Sequence, residues 1–507
     1  MGENTEPREY FESEDYLKPW FERRGLALLT DLYQLTMMAG YFEEKRGDIE
    51  VCFEYFFRSL PPHSGYAIFA GLDSFLLYLA NLRFSKEDIE YLRSLNIFDD
   101  DFLDFLQNFK LHITVRSVPE GSLVFPFEPV VQVEGPLLEA QLVETALLNF
   151  LNFQTLIASK SARVCFAAEP DPVLEFGLRR AHGPDGGISA SRSAYIGGCS
   201  ATSNVMAGKV YGIPVAGTHA HSWVMSYQSE LEAFRAFAKL YPTRCILLVD
   251  TYDPIRSGIP NAIQVFKELR EQGINVRPAI RIDSGDLAKI SKAAYKMMLE
   301  AGFENPLIVG SNDLNEDLIA DLRRQGAKIN AWGVGTHLVT SYDCPALSGV
   351  YKLVAVKRGN VWEPRLKITG NIEKSTDPGR KVTVRYFSKD GYILGDVMYL
   401  EEEEYPTMGD IDAKARLFPH ISQKIEGATY CEELHKKVFH NGNILIPLES
   451  VHTIRERARQ QLASLPEEYK RLRNPEVYKV LLSPKLGEMK NKIWQSSEMC
   501  MSLGEKK

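Results

Sequence analysis

Apolar residues recur along the chain with two different periods, and the place where one gives way to the other divides it. Leu32, Leu35, Met38, Ala39 and Phe42 fall at helical spacing behind Asp31, which can cap that helix while Gln34 reaches back to the cap. Strand-like runs at residues 50–58, 112–118 and 129–134, with helices near 74–82 and 86–95 between them, predict an α+β domain over residues 25–136. From residue 137 a long apolar helix leads into short apolar strands at 173–176, 213–216, 246–249, 277–282, 307–309 and 330–334. Their spacing shrinks from about 40 to about 20 residues, and the intervals carry helical periodicity, as a run of βα units should. The clearest helix covers 286–301: Leu287, Ile290, Ala294, Met297 and Met298 line one face, Ser284 stands before it as a candidate cap, and Gly302 closes it.

Strands apolar on both faces imply a parallel sheet, either closed as a barrel or open and doubly wound. No GxGxxG follows the first strand, and polar clusters come after nearly every strand rather than at one crevice, which favours the barrel. The barrel domain is drawn over residues 137–365. Beyond it, residues 366–507 hold a Pro/Gly-punctuated stretch, Thr376 to Gly379, strands at 381–387 and 391–399, an acidic run from Glu401 to Glu404 that reads as a solvated face, and a charged helix near 454–465. The expected fold is therefore α/β, an irregular TIM-like barrel with an N-terminal α+β domain and a C-terminal extension.

Composition narrows the functional classes. The chain has 507 residues, 45% hydrophobic and 25% charged, which is ordinary for a globular protein and excludes a disulfide mini-protein or a disordered chain. A formal net charge of −8 repels polyanions, so a dedicated nucleic-acid binder is not expected. The seven cysteines are scattered, with no short paired spacing of the kind a zinc site or redox dithiol needs. Residues 1–24 form a charged leader without the apolar run of a secretory signal, and the most apolar stretch, 147–158, is interrupted by Asn149, Asn152 and Gln154. A cytoplasmic protein with no membrane contact is expected.

In a βα barrel the loops after the strands form the mouth of the active site. Here they read Glu175-Phe176-Gly177-Leu178-Arg179-Arg180, then Gly217-Thr218-His219-Ala220-His221-Ser222, then Asp250-Thr251-Tyr252-Asp253. Three more follow: Arg281-Ile282-Asp283-Ser284-Gly285-Asp286, Gly310-Ser311-Asn312-Asp313 and Gly333-Val334-Gly335-Thr336-His337. Glycine beside small hydroxyl or amide residues at a strand-to-helix turn lets several N–H groups point at one phosphate; such turns also simply make tight connections, but two in succession after the last strands resemble a barrel phosphate site. Arg281 near Asp283 and Asp286 joins a bidentate anion donor to carboxylates suited to Mg²⁺ or ribose hydroxyls, or forms an internal ion pair with Asp286 as a helix cap. His221 is suited to act as acid, base or nucleophile, or to be a satisfied hydrogen-bond partner. Arg179 and Arg180 beside Phe176 offer cations and a flat aromatic face together, as a planar anionic ring requires. With no P-loop, kinase set, HExxH or GxSxG present, phosphate handling points to sugar-phosphate or phosphoribosyl chemistry.

Several of these segments are specific enough to carry a family resemblance. Leu29-Thr30-Asp31-Leu32-Tyr33-Gln34, Glu175 to Arg180 continuing through Gly183-Pro184-Asp185-Gly186-Gly187, Val215 to Ser222, Asp250 to Asp253, Arg281 to Leu287, Gly333 to Thr336 and Gly349 to Val354 resemble, in order, the nicotinate phosphoribosyltransferase family. The likeness runs from about residue 25 through the C-terminal helix. It implies a type II phosphoribosyltransferase: an α/β barrel beside an N-terminal domain, a homodimer with shared sites, and transfer from phosphoribosyl pyrophosphate to nicotinate with Mg²⁺ and coupled ATP hydrolysis through a phosphohistidine, the first step of NAD salvage from nicotinate. The Ala-His-Ser step matches His221 to that histidine, leaving His219 the weaker candidate. The resemblance further implies that Phe176 and Tyr33 sandwich the pyridine ring, Tyr33 from the partner subunit. It implies that Arg281 contacts the carboxylate with Arg179, Arg180 and Ser222 nearby, and that Asp283 binds ribose or Mg²⁺. Ser311, Asn312, Gly333, Gly335 and Thr336 then cradle phosphate. His337 stands where the family often has a small hydroxyl residue.

Three other readings compete. A nicotinamide phosphoribosyltransferase is expected to need an acidic acceptor near the ring, and residues 200–204 offer none. A barrel lyase or aldolase would need a strand-end lysine, which is absent from the loops above. A non-catalytic metabolite sensor would bind the phosphoribosyl donor without releasing pyrophosphate.

Overall fold

The computed structural model describes residues 26–367 and 375–504, so the charged leader lies outside the described residues. Its central layer is a parallel sheet in the order Ala201–Thr202, Val173–Glu175, Ala331–Val334, Leu307–Gly310, Ala279–Ile282 and Ile246–Leu248. Leu247, Val249, Ile280, Ile282, Ile308, Trp332 and Val334 are fully excluded from solvent, the burial on both faces that a parallel sheet requires. Helices Glu144–Ala168, Ile259–Glu271, Leu287–Glu300 and Glu316–Arg324 pack apolar faces against it.

The two edges of this sheet come together without a regular ladder. The strand expected at 213–216 is reduced to one parallel bridge between Val215 and Thr202. Pro214 lacks an N–H and contributes only its carbonyl, which accepts from the Thr202 N–H, while the Ala216 N–H returns a bond to Thr202. The chain then carries His219 to the opposite edge, where the Leu248 N–H donates to its Nε2 at 3.2 Å. A side chain closes the ring where a strand would normally stand, and the barrel is irregular for that reason. The short strand Ala201–Thr202 is not visible in the sequence pattern, since two residues carry no period.

Cap chemistry differs from expectation at two helices. The Asp286 side chain, not Ser284, caps Leu287–Glu300 by accepting from the Lys289 N–H at 2.9 Å; the Ser284 hydroxyl donates instead to Asp250. Asp31 precedes Leu32–Glu43 without a side-chain cap bond, because its carboxylate accepts from the Thr145 hydroxyl at 2.7 Å. Gln34 is buried and bonds Glu144 and Gln141 rather than reaching back.

The N-terminal antiparallel sheet runs Val361–Pro364, Gly349–Arg358, Glu50–Phe57, Val131–Pro136, Thr114–Ser117, Lys436–His440 and Asn443–Ile444. It recruits strands from all three domains drawn on sequence, crossing the boundaries at 136 and 365. Glu50–Phe57 is buried at every position after the first, so it needs a partner on each side, and Gly349–Arg358 supplies one of them. A third sheet, Ser422–Ala428, Gly409–Ala415, Val480–Leu482, Ile393–Leu400, Lys381–Phe387 and Tyr430–Glu433, is tied to the N-terminal region by buried charges. Lys381 reaches Glu54 at 3.0 Å, and Arg385 pairs with Asp396 while donating to the Leu123 carbonyl. The acidic run is not a uniformly solvated face: Glu401 receives Arg116 and Arg380, and Glu403 accepts from the Ser483 hydroxyl and the Leu400 N–H. Among the described residues no helix is long and apolar enough to cross a membrane.

Candidate active site

Five of the six strands of the parallel sheet, all but Ile246–Leu248, bring the residues at their C-terminal ends to one cavity of about 570 Å³. Its wall takes residues from six separate segments: Phe176 with Leu178 to Arg180, Ser203, Gly217 to Ala220, Arg281 with Asp283, Ser311 to Asp313, and Gly333 with Gly335 and Thr336.

Phe176 is placed by what lies beneath and beside it. Its N–H donates to the Val334 carbonyl, and the neighbouring Glu175 is fully buried, its carboxylate accepting from the Gly177 N–H and from the Ser191 and Thr202 hydroxyls. Beside the ring, a Cβ on Gly333 would stand 2.7 Å from Phe176 Cδ2, so only glycine leaves the ring room. Gly177 is similarly constrained by Val339, 2.3 Å from where its Cβ would be. Glu175 is a site residue that sequence reading passed over; its signal, a carboxylate in an otherwise apolar strand before a glycine turn, was present.

Arg281 donates to the Thr218 hydroxyl across the barrel at 2.7 Å, and its Nε is buried without a protein partner. Burial lowers its pKa, partly offset by Asp283 and Asp250 nearby. Asp250 holds the next turn by accepting from the Asp283 N–H at 2.8 Å and the Ser284 hydroxyl at 2.6 Å, while its Oδ1 is buried and unpartnered. Asp283 in turn accepts from Ser311. The orphaned Arg281 Nε, on a residue of the cavity wall, marks where a bound ligand would complete the hydrogen bonding.

His221 is at the rim rather than in the wall. Its Nδ1 shares a hydrogen bond with Thr251 Oγ1 at 3.1 Å, and its Nε2 lies 3.9 Å from Asp283. Thr251 is a second residue that sequence reading quoted without a role. His219 is structural: its Nε2 accepts from Leu248, it packs against Phe234 and Phe237, and burial lowers its pKa to about 4, so the ring is neutral. His337 packs on Tyr342 with ring centroids 4.7 Å apart and does not line the cavity. Ser222 is exposed on the short helix His221–Met225, and Tyr33 is half exposed on Leu32–Glu43; neither lines this cavity within one chain. At the ring side, Ser203 faces the cavity while Thr202 and Asn204 turn inward to Glu175 and Ser191. Among the described residues no lysine lines the cavity.

The residues that could meet Mg²⁺ are Asp283 and Asp250. Among the described residues no cluster of three or more His, Cys, Asp or Glu could hold a metal alone. Two carboxylates with one buried unpartnered oxygen nonetheless fit a magnesium ion that takes its remaining ligands from substrate oxygens and water.

Comparison with known proteins follows the same lines. The family models for the nicotinate phosphoribosyltransferase N-terminal domain, family and C-terminal domain match residues 28–152, 173–381 and 380–490. The chain is 43% identical over 464 residues to "Nicotinate phosphoribosyltransferase" of Bacillus subtilis, covering 91% of this chain and 94% of that one. It is 36% identical to the human protein of the same name over 525 residues, covering 92% and 96%. The crystal structure of human Nicotinic Acid Phosphoribosyltransferase superposes with a TM-score of 0.81 at 34% identity, covering 91% of this chain and 99% of that one. Coverage by three successive family models and relatives of matching length leave one conclusion: the chain belongs to the nicotinate phosphoribosyltransferase family.

Proposed function

We propose that the chain transfers the phosphoribosyl group of 5-phosphoribosyl 1-pyrophosphate to nicotinate, forming nicotinate mononucleotide and pyrophosphate. The observation that carries this reading is the convergence on one cavity of the Phe176 ring, three arginines and the glycine-rich turns at Ser311–Asp313 and Gly333–Thr336. The planar acid lies on Phe176, and Arg281 with its free Nε receives the carboxylate. Arg179 and Arg180 neutralise the second anion, while Ser311, Asn312, Gly333, Gly335 and Thr336 cradle phosphate. The ring nitrogen attacks C1 of the ribose as the C1–O bond to pyrophosphate breaks. Positive charge then grows on the ribose, facing Asp283, and negative charge on the leaving group, facing the arginines. Mg²⁺, held by Asp283 and Asp250, would supply charge neutralisation to the departing pyrophosphate.

ATP coupling is part of the same proposal. Thr251 holds His221 through Nδ1 and leaves Nε2 toward the cavity side, beside Asp283, as the nitrogen that accepts a phosphoryl group. The added charge of about −1.5 to −2 would rearrange nearby cations. Tyr33 and the exposed Leu29 and Leu32 beside it fit a second copy of the chain, completing the ring sandwich across a homodimer. We place the reaction in the cytoplasm, as the opening step of nicotinate salvage to NAD. Serine, not a carboxylate, faces the cavity from residues 200–204, which favours the acid over its amide.

Incubation with phosphoribosyl pyrophosphate, Mg²⁺ and equimolar nicotinate and nicotinamide, with and without ATP, followed by chromatography, tests this reading. The expected product is nicotinate mononucleotide, increased by ATP. Exclusive formation of the amide nucleotide, or binding of the donor without pyrophosphate release, would overturn it.

A further inference from the structure

A second cavity, about 530 Å³, lies at the other end of the first barrel strand, against Asp171, Pro172 and Val173 and the helix Val451–Ser464. Cys165 lines it, half-buried, and the reduced, buried Cys199 shares the Ser161 hydroxyl with it. These cysteines are far apart in sequence, on Glu144–Ala168 and just after Gly183–Ile196, so no short spacing announces them. They meet because the two helices approach through small residues. A Cβ on Gly197 would stand 2.2 Å from the Ala158 carbonyl, and one on Gly198, at φ +123°, would stand 3.2 Å from Cys165 Sγ.

Ser161 sits between the thiols. Its hydroxyl lies 2.7 Å from the Ala194 carbonyl, 3.2 Å from Cys199 Sγ and 4.0 Å from Cys165 Sγ. On the cavity side stands Arg455. Its guanidinium donates to the Tyr195, Gly198 and Cys199 carbonyls and stacks on the Tyr195 ring, with no carboxylate among these partners. A cation held by carbonyls keeps its charge for a neighbouring anion, here opposed only in part by Glu169 on the same cavity.

We propose that Cys165 and Cys199 form an oxidant-reactive dithiol, with hydrogen peroxide as co-reactant, on the barrel face away from the active-site cavity. Cys165 sulfur attacks one peroxide oxygen; the S–O bond forms, the O–O bond breaks, and the leaving oxygen departs as water after taking a proton. Cys199 sulfur then attacks the sulfenic sulfur of Cys165, the S–S bond forms, and the hydroxyl departs as a second water with the Cys199 proton. Overall the two thiols are oxidised to the disulfide and one hydrogen peroxide is reduced to two waters, with no further reagent. The assignment agrees with the ionisation of the thiols. Hydrogen bonding from Cys199 holds the Cys165 pKa below its usual value despite burial, and Ser161 and Arg455 act in the same direction. Every other described thiol is shifted upward, including the half-buried Cys344 and Cys431.

The full-length protein treated with hydrogen peroxide, digested with trypsin without reduction and analysed by mass spectrometry tests the proposal independently of phosphoribosyl transfer. Fragments 164–179 and 193–209 should appear joined, lighter than their sum by two hydrogens, and separate on adding dithiothreitol. In Cys199→Ser, with folding checked by circular dichroism, dimedone should label Cys165 ahead of Cys344 and Cys431. Absence of the joined fragments in the unmodified sequence, or faster oxidation of Cys344 or Cys431, would overturn it.

Discussion

At the scale of single residues, the site depends on atoms that hold other atoms in place. Gly333 is the sharpest case, because the space its missing Cβ leaves is filled by the Phe176 ring. Gly333→Ala should push that ring off its seat at a cost of about 1–3 kcal/mol. Since the affected ring is the proposed pyridine platform, KM for nicotinate should rise roughly 5- to 150-fold on the same reasoning. Steady-state kinetics with a thermal melt separates this from unfolding. Thr251 is the orienting partner of His221. Thr251→Val removes the hydroxyl that fixes the imidazole tautomer, so ATP stimulation and ³²P incorporation from ATP should fall about tenfold or more, while the rate without ATP stays near its original value. A uniform loss of both rates would assign Thr251 a merely structural role.

Secondary-structure elements show how far sequence carries this fold. The strands at 246–249, 277–282, 307–309 and 330–334 were legible because each is a short apolar run between turn residues, and the structure places all four within a residue or two. The segment 213–216 looked equally convincing and is only a bridge, since Pro214 lacks a donor and a tertiary bond from Leu248 to His219 does the closing. Phe176, Arg179, Arg180, Arg281, Asp283 and the two glycine turns were legible as strand-end chemistry and share one cavity. Glu175 carried a signal, a carboxylate in an apolar strand, but its role and that of Thr251 were not legible, because they lie in what the two side chains hold. The pairing of Cys165 with Cys199 was invisible for a different reason: helix packing, not spacing, brings both thiols to Ser161. Asp286 caps the helix that backs Arg281, and the cap is separable from the chemistry. Asp286→Ala should destabilise the protein by about 0.5–2 kcal/mol in urea titration while leaving kcat within about twofold.

The whole molecule is bound together by pairings that ignore the order of the chain: strand Lys436–His440 completes the N-terminal sheet, and Lys381 and Arg385 carry buried charge between regions. Two histidines belong to this framework. His219 closes the barrel, and His435 donates to the Pro129 carbonyl; burial holds each pKa near 4, below the usual 6.5. The folded protein keeps both rings neutral while the unfolded chain takes up protons below about pH 6.5. Their stabilising contribution is therefore complete above pH 6.5 and is lost as pH falls toward 4, with no further loss from these groups below that. Urea midpoints should decline between pH 6.5 and 4, and His435→Gln, which keeps a donor for Pro129, should make the decline shallower; an unchanged slope would remove His435 from this account.

The barrel's claim to function rests on six segments acting as one site, and a crystal structure of the protein with bound nicotinate mononucleotide tests that most directly. The pyridine ring should lie on Phe176 with its carboxylate at Arg281 and its phosphate among Ser311, Asn312, Gly335 and Thr336. A nucleotide bound elsewhere, with this cavity filled only by solvent, would contradict the account.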